Sequence, residues 1–288
     1  MTITPSTARL AVLIDADNTS PKHVSALLEE LASYGVATVK RAYGDWTTPQ
    51  LGGWKGELNR HAIVPVQQFA YTTGKNATDS ALIIDAMDLL YSGNLEAFAL
   101  VSSDSDFTRL ATRLRESGKT VYGLGLRKTP QSLVAACDTF IYLEVLGKVQ
   151  DQDDDTAAAD GADGAEPATP LPNLQSLLSR AVNATSDDDG WAHLSAIGSY
   201  LRSADSSFDP RLYGAAKLAT LVESQGYLTT TGSGAGGGLL VGLKGQVKQA
   251  QPTASATTSA QKTAAKKTAA KKTAAKKTAG RKSAQPKG

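Results

Sequence analysis

Aspartates follow two apolar runs of the chain and could bind a metal ion together. Asp15 and Asp17, with Asn18 beside them, lie in the sequence LIDADN, where the first apolar run ends. Asp104 and Asp106 follow a later apolar run, in the sequence VSSDSDF. Both turns fall at the carboxyl ends of predicted strands, and open α/β sheets bind their ligands beyond that edge.

Asp79 begins a long apolar segment with helical periodicity and adds a further carboxylate. Carboxylates gathered at one sheet edge repel one another unless a cation lies among them. Oxygen ligands of this kind suit Mg²⁺ or Mn²⁺, and such an ion can activate water and orient a phosphate. The chain has no Walker loop, which disfavours hydrolysis of nucleoside triphosphates.

A simpler interpretation is open for three of these aspartates. Asp17, Asp79 and Asp106 each precede or begin a predicted helix, where an aspartate often serves only as a cap. Asp15 and Asp104 directly follow predicted strands, and capping explains them less well. The occurrence of all five together is more specific than any one of them.

The elements that would position these side chains alternate along the first half of the chain. Short apolar runs predict strands at residues 10–14, 36–43, 63–69, 98–101, 120–124 and 139–143. Helical spacing predicts helices at residues 21–34, 51–60, 78–91 and 107–117. Alternating strands and helices predict a three-layer α/β fold with a parallel sheet.

Composition divides the chain into four parts. Residues 1–148 form the α/β domain, and residues 149–170 form an acidic, Ala- and Gly-rich linker that we expect to be disordered. Residues 171–245 regain a core pattern of three helices and a hairpin, the order of a winged-helix domain. Residues 246–288 are a Lys/Ala-rich tail, also expected to be disordered.

The formal net charge of +2 conceals a strong asymmetry. The segment from Lys262 to Gly288 contains nine lysines, one arginine and no acid, which leaves residues 1–261 with 20 basic and 28 acidic side chains, a net charge of −8. A basic tail of this kind is typical of contact with nucleic acid or another polyanion.

The single cysteine and the absence of long apolar stretches indicate the cellular setting. Cys137 excludes an intramolecular disulfide and is best explained as a small packing residue. The sequence shows neither a signal peptide nor an apolar stretch long enough for a membrane helix. We expect a cytoplasmic protein with no membrane partner, or one associated with the nucleoid through its tail.

The first half of the chain resembles the NYN family, a branch of the PIN-like nuclease superfamily. Three motifs in order carry the resemblance: Ile14-Asp15-Ala16-Asp17-Asn18, the segment from Gly74 to Asp79, and Ser103-Asp104-Ser105-Asp106-Phe107. The resemblance covers about residues 9–143. It implies a PIN-like fold and hydrolysis of phosphodiester bonds that depends on Mg²⁺ or Mn²⁺.

The resemblance also implies roles for individual residues. Asp15, Asp79 and Asp104 would be catalytic metal ligands, and Asp106 would be a further ligand or orient a metal-bound water. Asn18 would hydrogen-bond Asp15 or a substrate phosphate. Asp85 also matches the family, but it lies six residues after Asp79, roughly 240° around the helix, so it need not face the same metal.

Five further residues are candidates for substrate binding. Arg41 and Trp46 lie at or after the end of the second strand and suit phosphate contact and base stacking, although packing at the sheet edge would also explain the aromatic side chain. Lys75, on a Gly-containing loop, could hold a phosphate. Arg127 and Lys128, after the fifth strand, could do the same. For each of these three residues, a charged side chain that is merely solvated on its loop is an equal alternative.

Residues 174–243 resemble the OST-HTH/LOTUS family, most specifically in the run Phe208-Asp209-Pro210-Arg211-Leu212-Tyr213-Gly214. This resemblance implies a small winged-helix module that binds RNA or a protein partner. The domain has few basic residues able to meet phosphate, so the tail would supply most of the electrostatic affinity.

Together these features predict a metal-dependent endoribonuclease with an accessory RNA-binding domain. The alternative is a non-catalytic, regulatory protein that binds RNA or DNA. DNA is included because the Lys/Ala-rich tail resembles the tails of chromatin proteins.

Overall fold

A computed structural model describes residues 7–69, 77–146, 170–232 and 238–247. The predicted linker and tail lie almost wholly outside these ranges, as does Lys75. Among the described residues, no helix has both the length and the apolar composition needed to cross a membrane.

The first domain is built on a six-stranded sheet in which every neighbouring pair of strands is parallel. The strand order is β3-β2-β1-β4-β5-β6. The strands are β1 (Arg9–Asp15), β2 (Val36–Gly44), β3 (Val64–Gln67), β4 (Ala97–Val101), β5 (Thr120–Gly125) and β6 (Thr139–Tyr142). The predicted α/β fold with a parallel sheet is confirmed.

Five helices connect these strands and cover both faces of the sheet. They are α1 (Val24–Leu31), α2 (Trp54–His61), α3 (Ala77–Tyr91), α4 (Thr108–Glu116) and α5 (Gln131–Ala136). Only α5 was not predicted, because six residues are too few to show helical periodicity. The helix predicted at residues 21–34 is shorter in the structure, with a 3₁₀ turn (Pro21–His23) before α1.

Two hydrophobic cores lie on opposite faces of the sheet, and β1 contributes to both. Ala11 and Leu13 point into one core, whereas Leu10, Val12 and Ile14 point into the other. All five are essentially inaccessible to solvent. This explains why β1 is a continuous apolar run and not an alternating one.

The chain reverses its direction of travel across the sheet between β1 and β4. From β1 it adds β2 and β3 on one side, and from β4 it adds β5 and β6 on the other. Ile14 pairs with Val101 across this boundary, so Asp15 and Ser102 emerge side by side at the carboxyl edge. Such a boundary is the place where open α/β sheets form a ligand crevice.

The second domain packs three helices against a small antiparallel sheet in the order β7-β9-β8. Its elements are α6 (Leu174–Thr185), β7 (Trp191–His193), α7 (Leu194–Ala204), α8 (Leu218–Glu223), β8 (Leu228–Gly232) and β9 (Leu239–Leu243). Three helices and a hairpin were predicted, whereas the three-residue strand β7 was not. Most of the Gly-rich turn expected between β8 and β9 lies outside the described residues.

Gly125, at the carboxyl end of β5, is a position where a close approach requires glycine. A Cβ atom there would lie 2.7 Å from the backbone oxygen of Ser102 and 2.7 Å from Oγ1 of Thr129. We therefore expect Gly125→Ala to lower the free energy of unfolding by about 1–3 kcal/mol through overpacking. Urea denaturation would measure this change.

Gly56→Ala is the matched control, because a Cβ at this position on α2 would meet no atom within 4 Å. It should raise the free energy of unfolding by about 0.5–1 kcal/mol through helix propensity alone. Equal stability of the two variants would show that the approach at Gly125 is not tight.

Candidate metal centre

Three carboxylates converge at the carboxyl edge of the first domain. One oxygen each from Asp79, Asp104 and Asp106 lies within 4.8 Å of the other two. Asp79 is on the first turn of α3, and the other two follow β4. Residues that are 25 positions apart in the sequence therefore meet beside the boundary between β1 and β4.

Asp79 is directed inward by the hydrophobic face of its own helix. It shares one side of α3 with Leu82, Ala86 and Leu90, at spacings of three, seven and eleven residues. Those three side chains are buried in the core under the sheet, so Asp79 is only 8% exposed. The burial of the helix thus places a carboxylate where solvent reaches it poorly.

Asp104 and Asp106 belong to one tight turn. Asp104 is the N-cap of a 3₁₀ turn (Ser105–Phe107), and its Oδ1 accepts a hydrogen bond of 2.8 Å from the backbone N–H of Asp106. Phe107 is buried and anchors the turn in the core. Capping was the alternative left open for Asp106, whereas Asp104 caps this turn and also belongs to the carboxylate group.

Asp15 lies beside this group but is not one of its three members. It is fully buried, and its carboxylate accepts hydrogen bonds from Ser102 Oγ at 2.8 Å and from Asn18 Nδ2 at 2.9 Å. The backbone N–H of Asn18 donates a third, at 3.3 Å. Burial raises the pKa of Asp15, and these hydrogen bonds partly oppose that effect.

Ser102 links the two aspartate turns. Its hydroxyl donates to Asp15 and accepts a hydrogen bond of 3.1 Å from the backbone N–H of Asp104. Asp17 forms a second link, because its Oδ2 accepts a hydrogen bond of 2.8 Å from Thr78 Oγ1, next to Asp79 on α3. Hydrogen bonds therefore hold the β1 and β4 turns together and tie the β1 turn to the start of α3.

The electrostatic cost of this arrangement falls on Asp79. Desolvation raises its pKa to about 6, and the negative charges of Asp15, Asp104, Asp106 and Asp17 contribute in that order. A shift in this direction means that the site resists a further negative charge. The same oxygen-rich pocket is suited to a hard divalent cation.

Arg41 does not neutralise these carboxylates. Its guanidinium forms a salt bridge with Asp85 on α3, and the hydroxyl of Tyr43 donates to the same carboxylate. Asp85 raises the pKa of Arg41 through this hydrogen bond. Asp85 thus faces β2, in keeping with its position around the helix from Asp79.

The other predicted substrate-binding residues that the structure describes lie on the turns after β1, β2 and β5. Asn18 is exposed but hydrogen-bonds Asp15, and Trp46 is half-buried with its indole N–H donating to Val66 O at 3.0 Å. Arg127 is half-buried and Lys128 exposed on the turn after β5. Trp46 also packs edge-on against Trp54, with ring centroids 6.3 Å apart, as the packing alternative expected.

Ser102 and Thr78 belong to this network but were not predicted from the sequence. Ser102 lies one residue after β4, as Asp15 lies at the end of β1. Its contact with Asp15 depends on β1 and β4 being neighbours, and strand order is not apparent from the sequence. Thr78 directly precedes Asp79 and could have been recognised only from its contact with Asp17.

Comparison with known proteins supports both domains. The family model of the NYN domain matches residues 9–144, and that of the OST-HTH/LOTUS domain matches residues 166–240. A search of curated proteins found no match.

Three solved structures are similar to parts of the chain. A protein of unknown function from Vibrio parahaemolyticus is 18% identical, with 47% of this chain and 93% of that chain covered and a TM-score of 0.40. A protein from Chromobacterium violaceum is 35% identical, with coverages of 28% and 90% and a TM-score of 0.23. An uncharacterised protein from Nitrosomonas europaea is 28% identical, with coverages of 35% and 99% and a TM-score of 0.24.

The two family matches occur in the order expected from the sequence motifs, and the first of them contains all the carboxylates described above. The chain therefore carries an NYN domain, of the PIN-like nuclease class, over residues 9–144, followed by an OST-HTH/LOTUS domain over residues 166–240.

Proposed function

We propose that this protein is a divalent-metal-dependent endoribonuclease whose NYN domain hydrolyses RNA phosphodiester bonds. The observation that carries this proposal is the convergence of Asp79, Asp104 and Asp106 at the sheet boundary of a PIN-like domain. RNA is the proposed substrate because an OST-HTH/LOTUS domain follows in the same chain.

The side chains fit a hard divalent ion such as Mg²⁺ or Mn²⁺. The three converging ligand atoms are all carboxylate oxygens, and desolvation together with neighbouring carboxylates raises the pKa of Asp79 to about 6. A cation is the species that would relieve this repulsion. We assign Asp79, Asp104 and Asp106 as its ligands, with Asp15 contributing negative charge from its buried position.

An ion held there would lower the pKa of a water molecule and neutralise charge on a scissile phosphate. The protein's own residues supply position. Ser102 and Asn18 fix the Asp15 carboxylate, and Ser102 also fixes the backbone of Asp104. Arg127 and Lys128, on the turn after β5, are proposed to contact the RNA backbone together with Lys75.

The proposal is tested by cleavage of single-stranded and structured RNA in Mg²⁺ or Mn²⁺. Asp104→Asn should lower the cleavage rate more than about 100-fold, because even the outer partners of metal ligands typically cost 10- to 100-fold. Asparagine caps a turn as well as aspartate, so the local fold should be retained.

Asp88→Asn is the control for this experiment. It removes one carboxylate that is exposed on α3 and lies outside the group of three, and it should leave the rate within about twofold of the original. Equal cleavage by both variants would remove the assignment. RNA binding by the unchanged protein without cleavage in either metal would favour the non-catalytic alternative.

Ser102 is expected to act as a positioning residue. Ser102→Ala removes the donor to Asp15 and the acceptor for the Asp104 backbone, so activity at limiting Mn²⁺ should fall about 10- to 100-fold. Part of the loss should be recovered at higher Mn²⁺, which a titration of activity against metal would measure. Ser105→Ala, at an exposed position in the same turn, should behave like the unchanged protein, and a similar loss there would contradict this role for Ser102.

Asp79 should make the metal-free protein less stable at neutral pH than at acidic pH. Its pKa is raised from 3.8 to about 6 in the fold, so its stabilising contribution is complete below pH 3.8 and is lost as the pH rises through about 6. In EDTA, Asp79→Asn should therefore raise the melting temperature, and the gain should grow from pH 4.5 to pH 7 and then level off.

Metal should reverse the order of the two melting temperatures, so that the unchanged protein becomes more stable than Asp79→Asn. Excess Mn²⁺ should raise the melting temperature of the unchanged protein at pH 8 and have little effect on Asp79→Asn, because a ligand stabilises only the state that binds it. Asp88→Asn should show neither the pH-dependent gain nor the loss of the metal response. A destabilised Asp79→Asn protein at pH 8 in EDTA would contradict the proposed repulsion.

A further inference from the structure

A groove lies between the two domains, on the side of the sheet that ends in β6. Its volume is about 920 Å³, and α5 and the neighbouring ends of α4 and β6 form one wall, with α6 and α7 forming the other. Three arginines line it, Arg115 from the first domain and Arg180 and Arg202 from the second.

The walls of the groove are joined by direct contacts. The backbone oxygen of Ser206 accepts a hydrogen bond of 2.7 Å from Phe140 N–H on the edge strand β6, and Ser206 Oγ donates to Val134 O at 2.8 Å. Arg211 bridges the domains as well, through a salt bridge of 2.8 Å to Glu30. The groove is therefore preformed in the fold.

The acidic side chains of the groove are already engaged by neighbours. Asp138 accepts from Arg115 Nε at 3.0 Å and from the backbone N–H of Val121 at 2.8 Å. Asp205 accepts from the backbone and hydroxyl of Ser207 at 2.9 and 2.8 Å. By contrast, Arg180 and Arg202 are exposed and form no salt bridge with any described residue.

Two smaller cavities share lining residues with the groove. A cavity of about 480 Å³ shares Ser199 and Arg202 with it and reaches Leu239 at the start of β9. A cavity of about 200 Å³ shares Gln131 with it and reaches Arg127, on the turn after β5. The shared residues place the three cavities next to one another, from Leu239 in the second domain to Arg127 on the turn after β5.

The cavity that reaches Arg127 is linked to the carboxylate site through neighbouring elements of the first domain. The backbone N–H of Leu126 donates a hydrogen bond of 2.8 Å to Ser103 Oγ, which joins the turn after β5 to the turn that carries Asp104. β5 is also the direct neighbour of β4 in the sheet. A chain lying in the groove would thus approach the proposed metal centre.

We propose that this groove binds the phosphate backbone of single-stranded RNA and leads it from the OST-HTH/LOTUS domain to the carboxylate site. The proposal rests on the proposed function, since it takes RNA as the substrate. Arginine presents a planar fork that matches phosphate, and positively charged grooves track single-stranded backbones. None of the residues that line the main groove is aromatic, so the contact should not depend on base identity.

The test measures binding without cleavage, on the full chain in EDTA. Fluorescence anisotropy with labelled 20-nucleotide oligouridine and oligoadenosine would be recorded at several NaCl concentrations. Arg180→Gln/Arg202→Gln should raise the dissociation constant of both RNAs about 10-fold, as expected for lost phosphate contacts. The salt slope should fall in magnitude by about 1.4, which corresponds to two phosphates on a single strand.

Arg60→Gln/Arg113→Gln is the matched control. It removes the same charge from α2 and α4 at positions that do not line the groove, and it should change the dissociation constant less than about twofold. Equal melting temperatures would show that both variants are folded.

The outcomes separate this inference from the nuclease proposal. Equal losses of affinity and equal salt slopes in the two double variants would overturn the proposed binding of RNA in the groove. A failure of the unchanged protein to bind either RNA would also overturn it. The predicted loss in the Arg180/Arg202 variant, together with no cleavage by the unchanged protein in Mg²⁺ or Mn²⁺, would support the groove and overturn the nuclease assignment. Cleavage of RNA by the unchanged protein, together with unchanged RNA binding by the Arg180/Arg202 variant, would support the nuclease assignment and overturn the proposed role of the groove.

Discussion

Repulsion between carboxylates that share one edge of the sheet is the constraint on which the site depends. The effect is clearest at Asp79, because burial and the charges of four other aspartates all raise the pKa of its carboxyl. These aspartates are Asp15, Asp104, Asp106 and Asp17. A fold tolerates such a group when surrounding contacts fix it or when a cation joins it. Here hydrogen bonds from Ser102, Asn18 and Thr78 fix the carboxylates of the β1 turn, and an ion would complete the balance.

The fold also keeps the guanidinium of Arg41 away from the carboxylate group. Arg41 extends from β2 toward α3, where Asp85 and Tyr43 hold its guanidinium apart from the three converging oxygens. Gly44, at the end of β2, packs closely against the β1 turn, since a Cβ at this position would lie 3.0 Å from Asp17 Oδ1. The three converging oxygens of Asp79, Asp104 and Asp106 thus form a negatively charged group of the kind that a divalent cation binds.

Much of this architecture was predictable because it follows from patterns of neighbouring residues in the sequence. The continuous apolar runs at β1 and β4 identified buried parallel strands, and the aspartates that follow them marked the carboxyl edge. What escaped prediction depends on contacts across the chain or on very short elements. Ser102 meets Asp15 only because β1 and β4 are neighbours, and α5 and β7 are too short to show periodicity. The groove between the domains follows from contacts such as Phe140 to Ser206, which no local pattern reveals.

The central claim is that Asp79, Asp104 and Asp106 form one cation site, and calorimetric titration of the metal-free protein with Mn²⁺ tests it most directly. We predict saturable binding at pH 7.5 that weakens as the pH falls below about 6, where the Asp79 carboxyl must lose its proton to bind, and that is lost when Asp79 and Asp104 are both replaced by asparagine. Binding of the same affinity and stoichiometry by that double variant would contradict it.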